Sequence, residues 1–247
     1  MARRRQPKRR RRRPKPPRHA RPARPAARAA DRPAARPAAR GAAPRKVART
    51  RDKHAPRRSP YRAAAAAART DIDALGAALA AETDVARGLD RLLTTARRLT
   101  GAEAGTVYLR RGEALEFAAI QNDVLARQVG EEEVRRRVAA GPLPLRENSI
   151  AGYVMLTRTT VNLRDAYEIP VDRPYTLLRE VDRKADYRTR SMLALPLRDA
   201  RERVVGVLQL INALDRRGAV RPFTSRDQQL AHELAAQAAR LPGLAPG

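Results

Sequence analysis

The sequence predicts an α+β domain built around an antiparallel sheet, and three features carry that prediction. Met192–Arg198 and Arg203–Asn212 read as a strong β-hairpin. Apolar residues at helical spacing bracket the strand-rich region at both ends. Before about residue 70, by contrast, the chain lacks the large apolar side chains from which a core is made.

That N-terminal stretch is defined by charge. Residues 1–70 hold 26 Lys and Arg against Asp31 and Asp52, while residues 71–247 hold 27 basic and 24 acidic side chains. The first 60 residues carry 11 of the 19 prolines, and Tyr61 is the only aromatic before Tyr108. Such a segment buries too little surface to offset its ordering entropy. Residues 1–70 are therefore expected to be a disordered basic tail, with 71–240 the folded domain and 241–247 a short C-terminal tail. The alanine run Ala63–Ala68 has helix propensity and leads toward the first helix.

Within the domain, Ile72, Leu75 and Leu79, then Leu89, Leu92, Leu93 and Ala96, recur at helical spacing. Thr83 or Asp84 caps the second run, and Gly101 stands where a helix end favours a left-handed residue. Ala104–Arg110 and Leu115–Gln121 read as strands joined through Gly112. For 123–148 two readings stand, a helix or an irregular stretch with a short strand. Asn148 or Ser149 then caps a short helix, Ile150–Thr157, followed by a strand at Thr160–Leu163 and a loop to 174. A helix over Tyr175–Asp186 is expected to turn Leu178 and Val181 inward. In the last strand Val205, Val207, Gln209 and Ile211 share one face and Val204, Gly206, Leu208 and Leu210 the other, so it is central and covered on both sides. Gln209 is the lone polar side chain of that strip. The final helix starts on the pattern Ser225-x-x-Gln228.

Catalytic motifs are missing. There is no Gly-rich phosphate loop, no G-x-S-x-G and no H-E-x-x-H, although His232-Glu233 occurs. Zero cysteines exclude disulfides, thiolate metal sites and cysteine catalysis, and agree with a reducing, cytoplasmic setting. No apolar run nears the roughly 20 residues of a membrane span. The N-terminus has no apolar segment of the kind a secretory signal needs. The expectation is a non-enzyme with no metal or resident cofactor and no membrane partner.

The order SIAGYV, VNLRDAY, VDRKADYRTR and GVLQLIN resembles a GAF domain, closest to the regulatory GAF domains of cyclic-nucleotide phosphodiesterases and cyclases. The resemblance spans about 71–240. It implies a six-stranded antiparallel sheet, terminal helices that form a homodimer interface on one face, and a small-molecule site on the other. Carried onto this sequence, the implied ligand residues are Ile150 and Ala151, whose backbone meets a phosphate at a helix start. Asp182 and Thr189 are implied as acceptor and hydroxyl, and Gln209 as a reader of the base edge. Asn122 follows the second strand, and Tyr175 is implied as a lid aromatic. The pattern departs at Ala185 and Asp186, where such domains carry Thr and Gly. It departs again at Ala213, where a Lys is expected to pair with the carboxylate at 227 and brace the pocket rim.

The implied function is a ligand-sensing regulatory module for a cyclic nucleotide or similar molecule. With no catalytic domain after Gly247 in this sequence, its output is expected to pass through a signalling-enzyme partner or the tail. The alternative is a nucleic-acid-associated protein whose basic residues 1–70 grip phosphates non-specifically, with the domain as a dimerisation scaffold. The tail also suits a solvated arm without a partner.

Overall fold

The computed structural model describes residues 60–138 and 141–245. Of the basic tail, only residues 60–70 lie within these bounds, so the disorder expected before them falls outside the described residues.

Two long helices open the fold, α1 (Pro60–Ala81) and α2 (Val85–Thr100). The Asp84 carboxylate caps α2 by accepting from the Ala86 and Arg87 N–H groups, and Gly101 ends it at φ 71°. The strands β1 (Ala102–Arg111) and β2 (Ala114–Asn122) follow as a hairpin. Residues 123–148 then combine both readings of the sequence. They form short helices α3 (Asp123–Val129) and α4 (Glu131–Val138) and a two-residue strand β3 (Leu143–Pro144). After them come α5 (Ile150–Thr157), β4 (Val161–Leu163), a 3-10 turn at Ala166–Glu168, α6 (Arg179–Ala185), β5 (Met192–Arg198), β6 (Val204–Leu214), β7 (Val220–Arg221) and α7 (Ser225–Gln237).

The sheet runs β3-β2-β1-β6-β5-β4, with every pair of strands antiparallel. The sheet is antiparallel as expected but has seven strands rather than six, the two-residue β7 pairing beside the end of β6. Helices α1, α2 and α7 cover one face. There Leu79, Leu89, Leu92, Leu93, Leu208 and Leu234 are fully enclosed. On the other face α5 packs Ile150 and Val154 against Val207 and Ala194. A third small core, Ile120, Leu125, Val134 and Ala185, joins α3, α4 and α6 to the end of β2.

Several local expectations change. Leu241 and Leu244 are buried in the main core rather than lying in a C-terminal tail, and α1 begins at Pro60, before the expected boundary at 70. The helix expected from Tyr175 begins only at Arg179, and Leu178, expected inward, is 44 % exposed. The clean alternation along β6 breaks at its start. Arg198 pairs with Val204 and Leu197 with Gly206, so Val205 is an extra residue in a β-bulge. Val205 therefore joins the helix-covered core while Val204 and Val207 face α5. The capping box of α7 sits one residue earlier than expected, between Thr224 and Asp227.

Candidate functional site

A cavity of about 260 Å³ lies on the α5 side of the sheet. Its floor is set by strand register. Thr106 of β1 stands opposite Gln209 of β6 and beside Ile120 of β2, and all three line the space. The Tyr108 and Phe117 rings, 4.9 Å apart between centroids, extend that floor as an aromatic step. Burial pushes the Tyr108 phenol above its ordinary pKa, against a smaller opposing effect from its bond to Thr106. The walls are the start of α5, residues 176–178, α6 and the chain around Asn122 and Leu125.

Of the residues named from sequence, Asn122, Ile150, Ala151, Asp182, Thr189 and Gln209 all line this cavity. Their hydrogen bonds separate them into two groups. Asn122 caps α3, accepting from the Val124 and Leu125 N–H groups. Asp182 and Thr189 are committed to each other. The Thr189 hydroxyl donates to one Asp182 oxygen at 2.8 Å, while the Thr189 N–H and the Tyr167 hydroxyl donate to the other at 2.8 and 3.0 Å. This three-donor arrangement ties α6 to the 3-10 turn at Ala166–Glu168 and to the segment that leads into β5. The Tyr167 ring in turn lies between the Arg179 and Arg188 guanidinium groups, at 4.6 and 4.5 Å. Burial, then the Asp182 carboxylate, holds the Tyr167 pKa above the usual phenol value.

Gln209 is different. It is 8 % exposed and lines the cavity, and its amide, open to that space, makes no hydrogen bond among the described residues. Ser149 caps α5 by accepting from the Gly152 N–H, and Ile150 and Ala151 stand at the helix start beside the cavity, next to the bridge that pairs Ser149 with Thr176. Tyr175 is not among the lining residues. It is buried against Tyr153, with ring centroids 4.7 Å apart, so its expected lid position is not the one the structure shows.

The sequence departures find physical answers, and none of Asp186, Arg221 and Asp227 lines the cavity. Asp186 ends α6 in the left-handed region at φ 49°, the conformation for which Gly is best suited. Where a Lys was expected to brace Asp227, Arg221 does so from β7, its guanidinium 2.6 Å from the carboxylate. The brace is kept although the Lys is absent. Two further groups were not nominated from sequence. Thr106 acquires its role only through register with Gln209. Asn212 joins β6 to its surroundings by donating to Glu103 and to the Tyr187 hydroxyl and by accepting from the Arg190 N–H. Burial, then the Glu103 bond, drives the Tyr187 pKa far upward.

A second cavity, about 280 Å³, lies between α2, β2, α3 and α4 and shares the Ile120–Asn122 wall with the first. Its Arg97 and Gln121 side chains are bonded to each other and to Asp123, Asp90 and Thr94. Among the described residues, no group of three or more His, Cys, Asp or Glu is placed to hold a metal ion. No helix among them is long and apolar enough to cross a membrane.

Comparison with known proteins places this architecture. The GAF-domain family model matches residues 84–241. The dual 3',5'-cyclic-AMP and -GMP phosphodiesterase 11A of Takifugu rubripes is 36 % identical over 83 residues. That match covers 34 % of this chain and only 8 % of the relative. Among solved structures, a putative GAF sensor protein from Burkholderia vietnamiensis is similar with a TM-score of 0.52 and 15 % identity, over 71 % of this chain and 93 % of the other. The GAF domain of a phosphoenolpyruvate-protein phosphotransferase from Coxiella burnetii gives 0.51 and 16 %, over 70 % and 90 %. At these identities the structures speak for the fold alone. With more than half of its residues matched by that model, this chain belongs to the GAF-domain family.

Proposed function

We propose that this chain is a small-molecule sensor whose ligand occupies the 260 Å³ cavity and whose output passes through a partner protein. The observation that carries the reading is Gln209. Its amide opens onto the cavity and makes no hydrogen bond to the protein, so both its carbonyl and its N–H groups are available to a ligand. The cavity volume approaches the roughly 300 Å³ at which small-molecule pockets begin. The short match to a cyclic-nucleotide phosphodiesterase makes cyclic nucleotides, or other planar molecules of similar size, the first ligands to try. Roles for Ile150 and Ala151 as backbone donors, and for Gln209 as the base-reading group, follow from their places in the wall. Asp182 and Thr189 serve as the roof tether.

Helices α1 and α7 pack side by side on the face opposite the cavity, and we assign them the homodimer interface through which occupancy is read out. The test is thermal stability of the full chain against cAMP, cGMP and a metabolite panel. A ligand at 100 times its Kd adds about 2.7 kcal/mol. Failure of every compound to stabilise the protein contradicts the sensor reading.

A second reading rests on the excess of 26 basic over 2 acidic side chains in residues 1–70, which suits non-specific binding to nucleic acid. It requires binding that falls steeply with salt and disappears when those residues are removed. Binding that is absent or insensitive to salt contradicts it.

A further inference from the structure

We propose that the second cavity, between α2, β2, α3 and α4, is a binding site for a small zwitterion of the amino-acid class, a molecule carrying one ammonium and one carboxylate. This site is separate from the Gln209 cavity and does not depend on what that cavity takes.

Arg97 carries the argument. It is 9 % exposed and lines the second cavity, and its Nε–H is the one buried side-chain polar atom without a protein partner among the described residues. The other guanidinium nitrogens are committed. Nη1 donates to the Gln121 Oε1 at 2.8 Å, while Nη2 donates to the Glu103 carbonyl at 2.8 Å and pairs with Asp123 at 2.6 Å. Buried donors are nearly always paired, so a donor left over beside a cavity marks where an acceptor belongs. A volume of about 280 Å³ is far more than one bridging water needs, at ~30 Å³ each. Nε and Nη2 form one edge of the guanidinium, the fork that a carboxylate spans. The Asp123 side chain that holds Nη2 is 62 % exposed, with room to turn outward as a guest carboxylate takes that edge.

The complementary half of the site is acidic. Asp90 and Glu131 line the same space and make no ion pair among the described residues. Asp90 instead accepts from the Gln121 amide nitrogen at 2.9 Å. A single side-chain amide therefore stands between the unpaired carboxylate and the guanidinium, a separation that the two ends of one small molecule can bridge. Ile120, Ala126 and Val134 add an apolar stretch of wall for a short aliphatic group.

Charge balance selects the class. Asp90, Asp123 and Glu131 outnumber Arg97 and Arg135 in this wall, so a guest with a carboxylate alone adds to an acidic excess. A guest with an ammonium alone leaves the Arg97 N–H unmet. A zwitterion answers both groups and brings no net charge into a partly desolvated space.

The full chain is tested by thermal shift and calorimetry. γ-Aminobutyrate, L-valine and L-leucine serve as zwitterionic probes, with butyrate and n-butylamine as matched compounds that carry one charge each. The expected result is a Tm increase of about 5–10 °C from a zwitterion at a hundredfold excess over its Kd, and none from either single-charge compound. Affinity for that zwitterion falls at least tenfold in the double variant Asp90→Asn, Glu131→Gln, with circular dichroism confirming that it folds. Equal binding of butyrate or n-butylamine overturns the zwitterion class. Binding that is lost in Gln209→Leu and kept in the double variant puts the guest in the other cavity and overturns the second site. A response from none of the probes overturns it too, and leaves the Arg97 N–H to water.

Discussion

Arg221 on β7 holds the Asp227 carboxylate of α7 at 2.6 Å, and this one contact fastens three parts of the fold. The same guanidinium donates to the Leu214 carbonyl at the end of β6 and to the Thr100 carbonyl at the end of α2. Asp227 in turn accepts from the Thr224 N–H and hydroxyl, which closes the capping box of α7.

That arrangement has a pH signature. Burial pushes the Asp227 pKa up, but the Arg221 bond and the two Thr224 bonds outweigh it and hold the carboxyl below its ordinary value. A depressed folded pKa gives stability that is fully present above the unfolded value near ~3.9 and is lost as pH falls through the folded value. Asp227→Asn is expected to cost about 1–3 kcal/mol at pH 7. Urea unfolding across pH 2–7 checks this: the deficit of the variant should shrink below about pH 4. A deficit that stays constant with pH contradicts the assignment.

Asn212 is buried at φ 55°, with its side chain donating to Glu103, Tyr187 and the Arg188 carbonyl and accepting from Arg190 N–H. Asn tolerates the left-handed region and Ala does not. Asn212→Ala should cost about 2–4 kcal/mol through lost hydrogen bonds and backbone strain together. Asn212→Gly removes the same bonds without the strain, so it should sit between Ala and wild type in chemical denaturation.

Gly152 lies where a Cβ would collide with the Arg146 carbonyl oxygen, which itself accepts from the Ser149 N–H and hydroxyl. Gly152→Ala must displace backbone at the start of α5. A loss of about 1–3 kcal/mol is expected, together with weaker binding of any ligand held by that helix start. Denaturation and calorimetry on one preparation read both effects.

Gln209→Leu should leave the stability of the ligand-free protein nearly unchanged. The amide opens onto the cavity and has no protein partner to lose, so an apolar group of similar size breaks no hydrogen bond within the fold. The expected change is within about 1 kcal/mol of zero in unfolding free energy. A loss of stability would mean that the amide is satisfied within the fold and is structural.

Much of the frame is legible in the sequence because local chemistry decides it. The Asp84 cap, the Gly101 stop and the 192–212 hairpin each rest on a few neighbouring residues whose preferences agree with the fold. The bulge at Val205 is not legible, because an inserted residue leaves the hydrophobic pattern apolar on both faces. Two overlapping patterns compete at α7, and the choice of Thr224 and Asp227 over Ser225 and Gln228 is tied to Arg221. Asn122, Ile150, Ala151, Asp182, Thr189 and Gln209, nominated by motif, line the cavity, but their division into tethers and free groups depends on pairings such as Tyr167 with Asp182. Tyr175 is lost to the cavity because Tyr153, far off in sequence, offers it a ring to pack on.

A crystal structure of the full chain purified from its expression host, with the electron density inside the cavity inspected before any ligand is added or after soaking, is the most direct measurement. The expected result is density for a small planar molecule bonded to the Gln209 amide, between the Tyr108–Phe117 step and the start of α5. A cavity closed by protein side chains, with the Gln209 amide bonded to one of them, would contradict the sensor function.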